Sequence, residues 1–161
     1  MTRGGHLMVK PKRIGHLVLN VKDVEVSEKF YTEVLGFEIA VKRPFGTFLT
    51  CGKIHHDLAL FQAPADAQPV TKGRLGLNHF AVQIEDMDEL KEIYQRLKDH
   101  GAEIDHLTDH GMTKSVYFYD PDGNMIEFFF NTTDTAEEGL ALMRAPGRKN
   151  TELVLEKTPV S

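Results

Sequence analysis

The chain has one cysteine, Cys51, in 161 residues, so no disulfide can form within it. Without a disulfide framework to read, a reducing, cytoplasmic setting is expected. No stretch approaches the ~20 consecutive apolar residues of a membrane-spanning helix. The N-terminus also lacks the apolar core of a secretory signal, so no membrane partner is expected. No long basic run occurs and the formal net charge is −5. This disfavours nucleic acid as a partner, because phosphate binding leaves a positive footprint. The one locally basic stretch, Met1 to Arg13, is short and contains glycine; residues 1–12 are expected to be a flexible arm.

What is present is an internal repeat. Ile14-Gly15-His16-Leu17-Val18-Leu19-Asn20-Val21-Lys22-Asp23 resembles Leu77-Asn78-His79-Phe80-Ala81-Val82-Gln83-Ile84-Glu85-Asp86. The offset is 79 − 16 = 63 residues, and it runs without a gap to Tyr31/Tyr94. Such self-similarity decides the architecture before any single motif does. Each copy alternates apolar and polar residues, as a half-buried strand does, and then changes to a helical period. Val26, Phe30, Val34 with Tyr31, Leu35 mark the first helix. Met87, Leu90, Ile93, Tyr94 and Leu97 mark the second. Asp23 and Asp86 stand where an N-cap is needed, since a short carboxylate accepts from the free N–H groups of the first turn. Asp86 to Glu89 also has capping-box spacing. Gly36 and Gly101 suit the helix C-termini.

Three strand-like runs follow each helix. They are Phe37–Lys42, Thr47–Thr50 and Leu58–Gln62 in the first half, then Ala102–Leu107, Ser115–Tyr119 and Met125–Phe130 in the second. Asp120-Pro121-Asp122-Gly123-Asn124 has the residues of a turn. The reading is an α+β chain of two tandem βαβββ modules, residues 13–63 and 76–132, forming one domain over 13–132. The polar stretch Ala63 to Arg74 links the modules. Residues 133–161 are a C-terminal helix, near Thr135 to Arg144, and a tail.

One histidine at a strand start is ordinarily structural. His16 and His79, however, hold the same slot of two repeats, and equivalent slots converge when two such units pack about a pseudo-twofold axis. Glu127 lies in Met125-Ile126-Glu127-Phe128-Phe129-Phe130, the most apolar run of the chain. A carboxylate is costly to bury there unless paired or bound to a metal. Two imidazoles, one carboxylate and open positions make the facial triad suited to non-heme Fe(II). Mn(II) fits almost as well, and Zn(II) is compatible with the donor types.

These residues resemble the vicinal oxygen chelate superfamily, and within it the type I extradiol catechol 2,3-dioxygenases. The resemblance spans about Arg13 to Thr132 and implies His16, His79 and Glu127 as metal ligands. His56-Asp57-Leu58-Ala59-Leu60 resembles a strand of that group whose histidine is an acid–base beside the iron, which implies that role for His56. His110-Gly111-Met112-Thr113 with Tyr117 to Gly123 resembles its C-terminal signature. There a histidine and a tyrosine line the substrate pocket, and His110 and Tyr117 match them. The group's lyases and epimerases use a fourth, acidic ligand on the last strand of the first half; here that strand reads Leu58-Ala59-Leu60-Phe61, without an acid.

The implied activity is Fe(II)-dependent cleavage of a catechol-type diol by dioxygen. Tyr117 would hydrogen-bond the diol oxygen, His110 orient the substrate, and His56 deliver a proton, as a side chain with an unperturbed pKa near 6.5 can. The alternatives are another metal-dependent lyase or isomerase of the superfamily, or a binding module without turnover. Iron content, and a yellow product when a catechol is added in air, separate them. A homodimer is also expected from the free sheet edges that a small repeat fold leaves.

Overall fold

The structure, a computed structural model, describes residues 10–73 and 75–155. Most of the expected N-terminal arm, residues 1–9, and the last part of the tail, residues 156–161, lie outside the described residues.

Each half is a βαβββ unit. The first holds β1 (Leu17–Val21), α1 (Val24–Lys29), β2 (Glu38–Arg43), β3 (Gly46–Thr50) and β4 (Leu58–Gln62). The second holds β5 (Phe80–Gln83), α2 (Met87–Asp99), β6 (Ile104–Asp109), β7 (Thr113–Tyr119) and β8 (Met125–Asn131). Then come α3 (Ala136–Arg144) and a two-residue strand β9 (Thr151–Glu152). The sheets run β1-β4-β3-β2 and β5-β8-β7-β6-β9. In both, the first strand pairs in parallel with the last of its own module, Leu17 with Leu58 and Phe80 with Ile126. The α+β fold of two tandem modules is as the sequence predicts. Among the described residues no helix is long and apolar enough to cross a membrane.

Local chemistry sets the helix ends. Asp23 accepts from the N–H groups of Glu25 and Val26, and Asp86 from those of Asp88 and Glu89. Glu89 does not complete a reciprocal box with Asp86; its carboxylate accepts from the Glu85 N–H instead. Gly36 and Gly101 close the helices with φ of 81° and 66°, a region where a Cβ would be strained.

The first helix departs from its expected pattern. After Lys29 it continues as a π-helical turn, Phe30–Val34, with the Leu35 N–H bonded to the Phe30 carbonyl. The wider turn rotates the side chains out of the 3.6-residue frame. Val26, expected on the core face, is exposed, while Ser27 and Tyr31 are buried. Ser27 is satisfied there because its hydroxyl donates to Asp122 Oδ2.

One core serves both modules. Leu19, Val21, Tyr31, Val34 and Leu60 of the first join Leu90, Leu97, Val116, Phe118, Ile126 and Phe128 of the second. Polar pins cross the same seam. The Tyr31 hydroxyl donates to Asp120 Oδ2 at 2.9 Å, the Lys22 N–H to Asp122 Oδ1, and Arg96 Nη1 to the Val34 carbonyl.

Candidate metal and substrate site

His16 and His79 each stand one residue before a strand, β1 and β5, in equivalent slots. Both line one apolar depression at the seam, with Ile14, Leu17, Leu77 and Phe80. Sheet register then brings Glu127 in. On β8 it lies beside Ala81 of β5 on one side and opposite Tyr117 of β7 on the other.

The Glu127 carboxylate is buried, only 8% exposed, yet fully engaged. The Ser115 hydroxyl donates to Oε1 at 2.6 Å, and His79 Nε2 lies 3.2 Å from Oε2. The other ring nitrogen of His79, Nδ1, is 2.7 Å from Asn78 Oδ1. With Nδ1–H donating to that amide oxygen, Nε2 is left facing a carboxylate. It is then either the second N–H of an imidazolium or a lone pair. A lone pair beside a carboxylate is the arrangement a cation satisfies, and a ligating histidine is ordinarily fixed through its other nitrogen in this way.

Tyr117 sits over this pair. Its ring meets His79 edge-on at 5.4 Å between centroids, and its hydroxyl is 2.9 Å from His110 Nε2. Burial first, and then the neighbouring Glu127 carboxylate, push the Tyr117 pKa well up. The phenol therefore keeps its proton at any ordinary pH and remains a hydrogen-bond donor.

The structure gathers His79, Glu127, Tyr117 and His110, while His16, on the border of the same depression, packs against His56. The rings of His16 and His56 pack at 4.5 Å, and Phe48 meets His56 edge-on at 5.3 Å. His56 is set by Asp57. Its carboxylate accepts from the Cys51 N–H at 2.7 Å, and its main chain bonds Leu49 on one side and Leu17 on the other. Desolvation, and then the facing His16 and His55 rings, lower the His56 pKa, so this imidazole is neutral near pH 7. Among the described residues no three His, Cys, Asp or Glu side chains stand close enough to hold a metal ion. His79 and Glu127 are in contact; His16 is not in contact with them, though it borders the same depression.

Three residues of the site are not singled out by the sequence reading. Ser115, the donor to Glu127, was legible as the i−2 neighbour of Tyr117 on the same strand face. Asn78 follows from its adjacency to His79. His106 pairs with Tyr117 in the β6–β7 register and stacks on its ring, 4.2 Å between centroids and 10° between planes. Its Nδ1 is held by Asp105 at 2.6 Å, and Asp105 also accepts from the Tyr119 hydroxyl and from Lys72 of the linker. Nothing in the sequence pairs His106 with Tyr117, because the register shifts between Ile104 and His106.

A family model, the Glyoxalase/Bleomycin resistance protein/Dioxygenase superfamily, matches residues 13–128. The chain is 34% identical over 137 residues to a biphenyl-2,3-diol 1,2-dioxygenase of Rhodococcus globerulus, covering 84% of this chain and 72% of that one. It is also 34% identical over 116 residues to a catechol-2,3-dioxygenase of Bacillus subtilis, covering 72% of this chain and 40% of the relative. A solved fosfomycin resistance protein, FosX, of Listeria monocytogenes shares the fold at a TM-score of 0.62 and 24% identity, over 82% of this chain and 99% of that one.

Proposed function

Because the chain belongs to the glyoxalase/bleomycin resistance protein/dioxygenase superfamily, we propose that it is an Fe(II)-dependent extradiol dioxygenase that opens a catechol-type aromatic diol with dioxygen. The observation that carries this reading is the buried Glu127 in contact with His79 beneath Tyr117 and its partner His110. Similarity to two diol dioxygenases supports it. FosX, with the same fold, is a fosfomycin resistance protein, so the activity is argued from the site and not from the fold.

His79 and Glu127, with His16 from the rim of the depression, would hold Fe(II); Mn(II) has closely similar ligand preferences. The metal, when bound, supplies open positions for the two vicinal oxygens of the diol and for dioxygen, and lowers the pKa of bound oxygen ligands. The chain's own groups do the rest. Tyr117, kept protonated, donates to a diol oxygen that has lost its proton. His110, bonded to the Tyr117 hydroxyl, orients the ring. Apolar side chains of the depression, Ile14, Leu17, Leu77 and Phe80, exclude water from its face. His56, neutral near pH 7, accepts a proton from the diol and returns it as oxygen is reduced. Ser115 holds Glu127 in one rotamer.

The reading includes a cytoplasmic homodimer. Among the described residues β1 and β5 are edge strands, and Val18 leaves exposed apolar surface on β1. Size-exclusion chromatography with light scattering checks this; a monomer at micromolar concentration removes it. The activity test is anaerobic loading with Fe(II), then a catechol in air. A yellow ring-opened product is expected, with no turnover of the catechol's mono-methyl ether. Equal turnover of both compounds, or none of either, overturns the proposal.

A further inference from the structure

The superfamily match ends at residue 128, yet the chain beyond it returns to the site. β9 pairs antiparallel with the end of β6, Thr108 with Glu152 and Asp109 with Thr151, and the Leu153 N–H bonds the Leu107 carbonyl. Leu153 and Leu155 pack onto the core. The pairing brings Arg148 over the loop that carries His110. Arg148 Nη1 donates to the His110 carbonyl at 2.8 Å and to Asn150 Oδ1 at 3.2 Å, and touches Met112 Sδ at 3.6 Å. The same loop is held from its other side, where the Thr132 N–H and hydroxyl donate to the Met112 and Gly111 carbonyls.

We propose that the segment from Arg144 to Leu155 is a clasp that fixes His110 against Tyr117, and that Arg148 is its positioning residue. Arg148 does not reach Tyr117 or Glu127; it acts on the main chain of His110, whose ring nitrogen bonds the Tyr117 hydroxyl. One guanidinium nitrogen, Nη1, meets both the His110 carbonyl and the Asn150 side chain, and the planar group fixes the direction of its N–H bonds more tightly than a rotating ammonium does. The whole stretch from Arg144 to Asn150 is exposed. Isolated polar contacts at such a surface contribute little to global stability. Their effect is on the placement of one loop, and with it on how well a substrate-facing group is pre-organised for binding. The inference rests on the reading that His110 faces the substrate.

The test uses Arg148→Ala and Arg148→Lys in the full chain. The first readout is independent of activity. Ring ¹⁵N shifts of His110, assigned with a His110→Gln control before iron is added, are expected to show one fixed tautomer in the parent chain. Tautomer averaging is expected in Arg148→Ala, with Arg148→Lys between the two. The second readout is steady-state kinetics on a catechol. Losing one hydrogen bond's net worth of orientation corresponds to roughly a fivefold to tenfold rise in KM. The change falls in KM because an orienting group contributes equally to ground-state and transition-state binding. Unchanged ring shifts overturn the clasp. So does a fall in kcat that merely tracks a lower melting temperature at constant KM. If the ring shifts respond but no diol is turned over by any form, the clasp stands and the dioxygenase reading fails.

Discussion

His79 Nε2 stands 3.2 Å from Glu127 Oε2, a contact made by sheet register and not by sequence proximity. The carboxylate that the apolar run around Glu127 makes costly to bury is thereby given a partner.

The first expectation concerns that pair. His79→Ala and Glu127→Ala should each reduce metal content, measured by mass spectrometry after iron loading, to background, while circular dichroism stays close to that of the parent. His16→Ala should do the same if His16 supplies the third donor. Full occupancy in Glu127→Ala would remove the carboxylate from the site.

His56 tests oxygen chemistry apart from metal binding. His56→Phe preserves an aromatic ring against His16 and Phe48 but cannot move a proton. It should keep its metal and bind a catechol, yet turn over about 10²–10⁴-fold more slowly, the range typical of a general acid–base group. A variant that loses its metal makes His56 a ligand. One with full activity makes it a packing residue.

The seam between modules rests partly on Tyr31 and Asp120. Asp120 accepts from the N–H groups of Asp122 and Asn124, from the Asn124 amide and from the Tyr31 hydroxyl. Removing one hydrogen bond to a charged group costs about 1.5–3 kcal/mol. Tyr31→Phe should lose about that much in urea unfolding. Asp120→Ala should lose more, because it leaves the buried Tyr31 hydroxyl and three part-buried N–H donors without their acceptor. Equal stability of Tyr31→Phe and parent would make this contact incidental.

Cys51 provides a pH test. Partial desolvation, and then the Asp57 carboxylate, push its thiol up to about 11. The thiolate is the reactive form, so at pH 8 only about one molecule in a thousand carries it. Alkylation by iodoacetamide should be slow at pH 8, slower than for an unperturbed thiol near 8.5, and should rise about tenfold per pH unit up to pH 11. Asp57→Asn removes one of the two causes and should speed alkylation at pH 8. A plateau by pH 9 would contradict the shift.

The strands and the repeat were legible because alternation and the 63-residue offset are local signals that burial enforces. β4 runs as expected, Leu58–Gln62, and the others differ by one or two residues at their ends. The π-helical turn was not legible. It depends on i→i+5 bonding such as that from the Leu35 N–H to the Phe30 carbonyl, and Ser27 rather than Val26 lies on the core face. β9 was not legible either, since two residues carry no period and the strand exists only because the β6 edge is there to pair with. Of the proposed site residues, His79, Glu127, His110 and Tyr117 meet. His16 packs on His56 instead, a distinction that equivalence of slots cannot make.

The pairing of β9 also bears on solubility. A sheet's outer strand offers unpaired N–H and C=O groups to any extended segment that approaches. In the second sheet the short strand β9 occupies that position on β6. In the first, β2 carries a register break between Ile39 and Val41, flanked by Glu38, Lys42 and Arg43. The irregularity and the charges make strand addition unfavourable. The two modules therefore guard equivalent margins by different means. A chain cut after Arg144 would bare the Leu107–Asp109 end of β6 and become prone to self-association through that margin at concentrations where the intact chain stays dispersed.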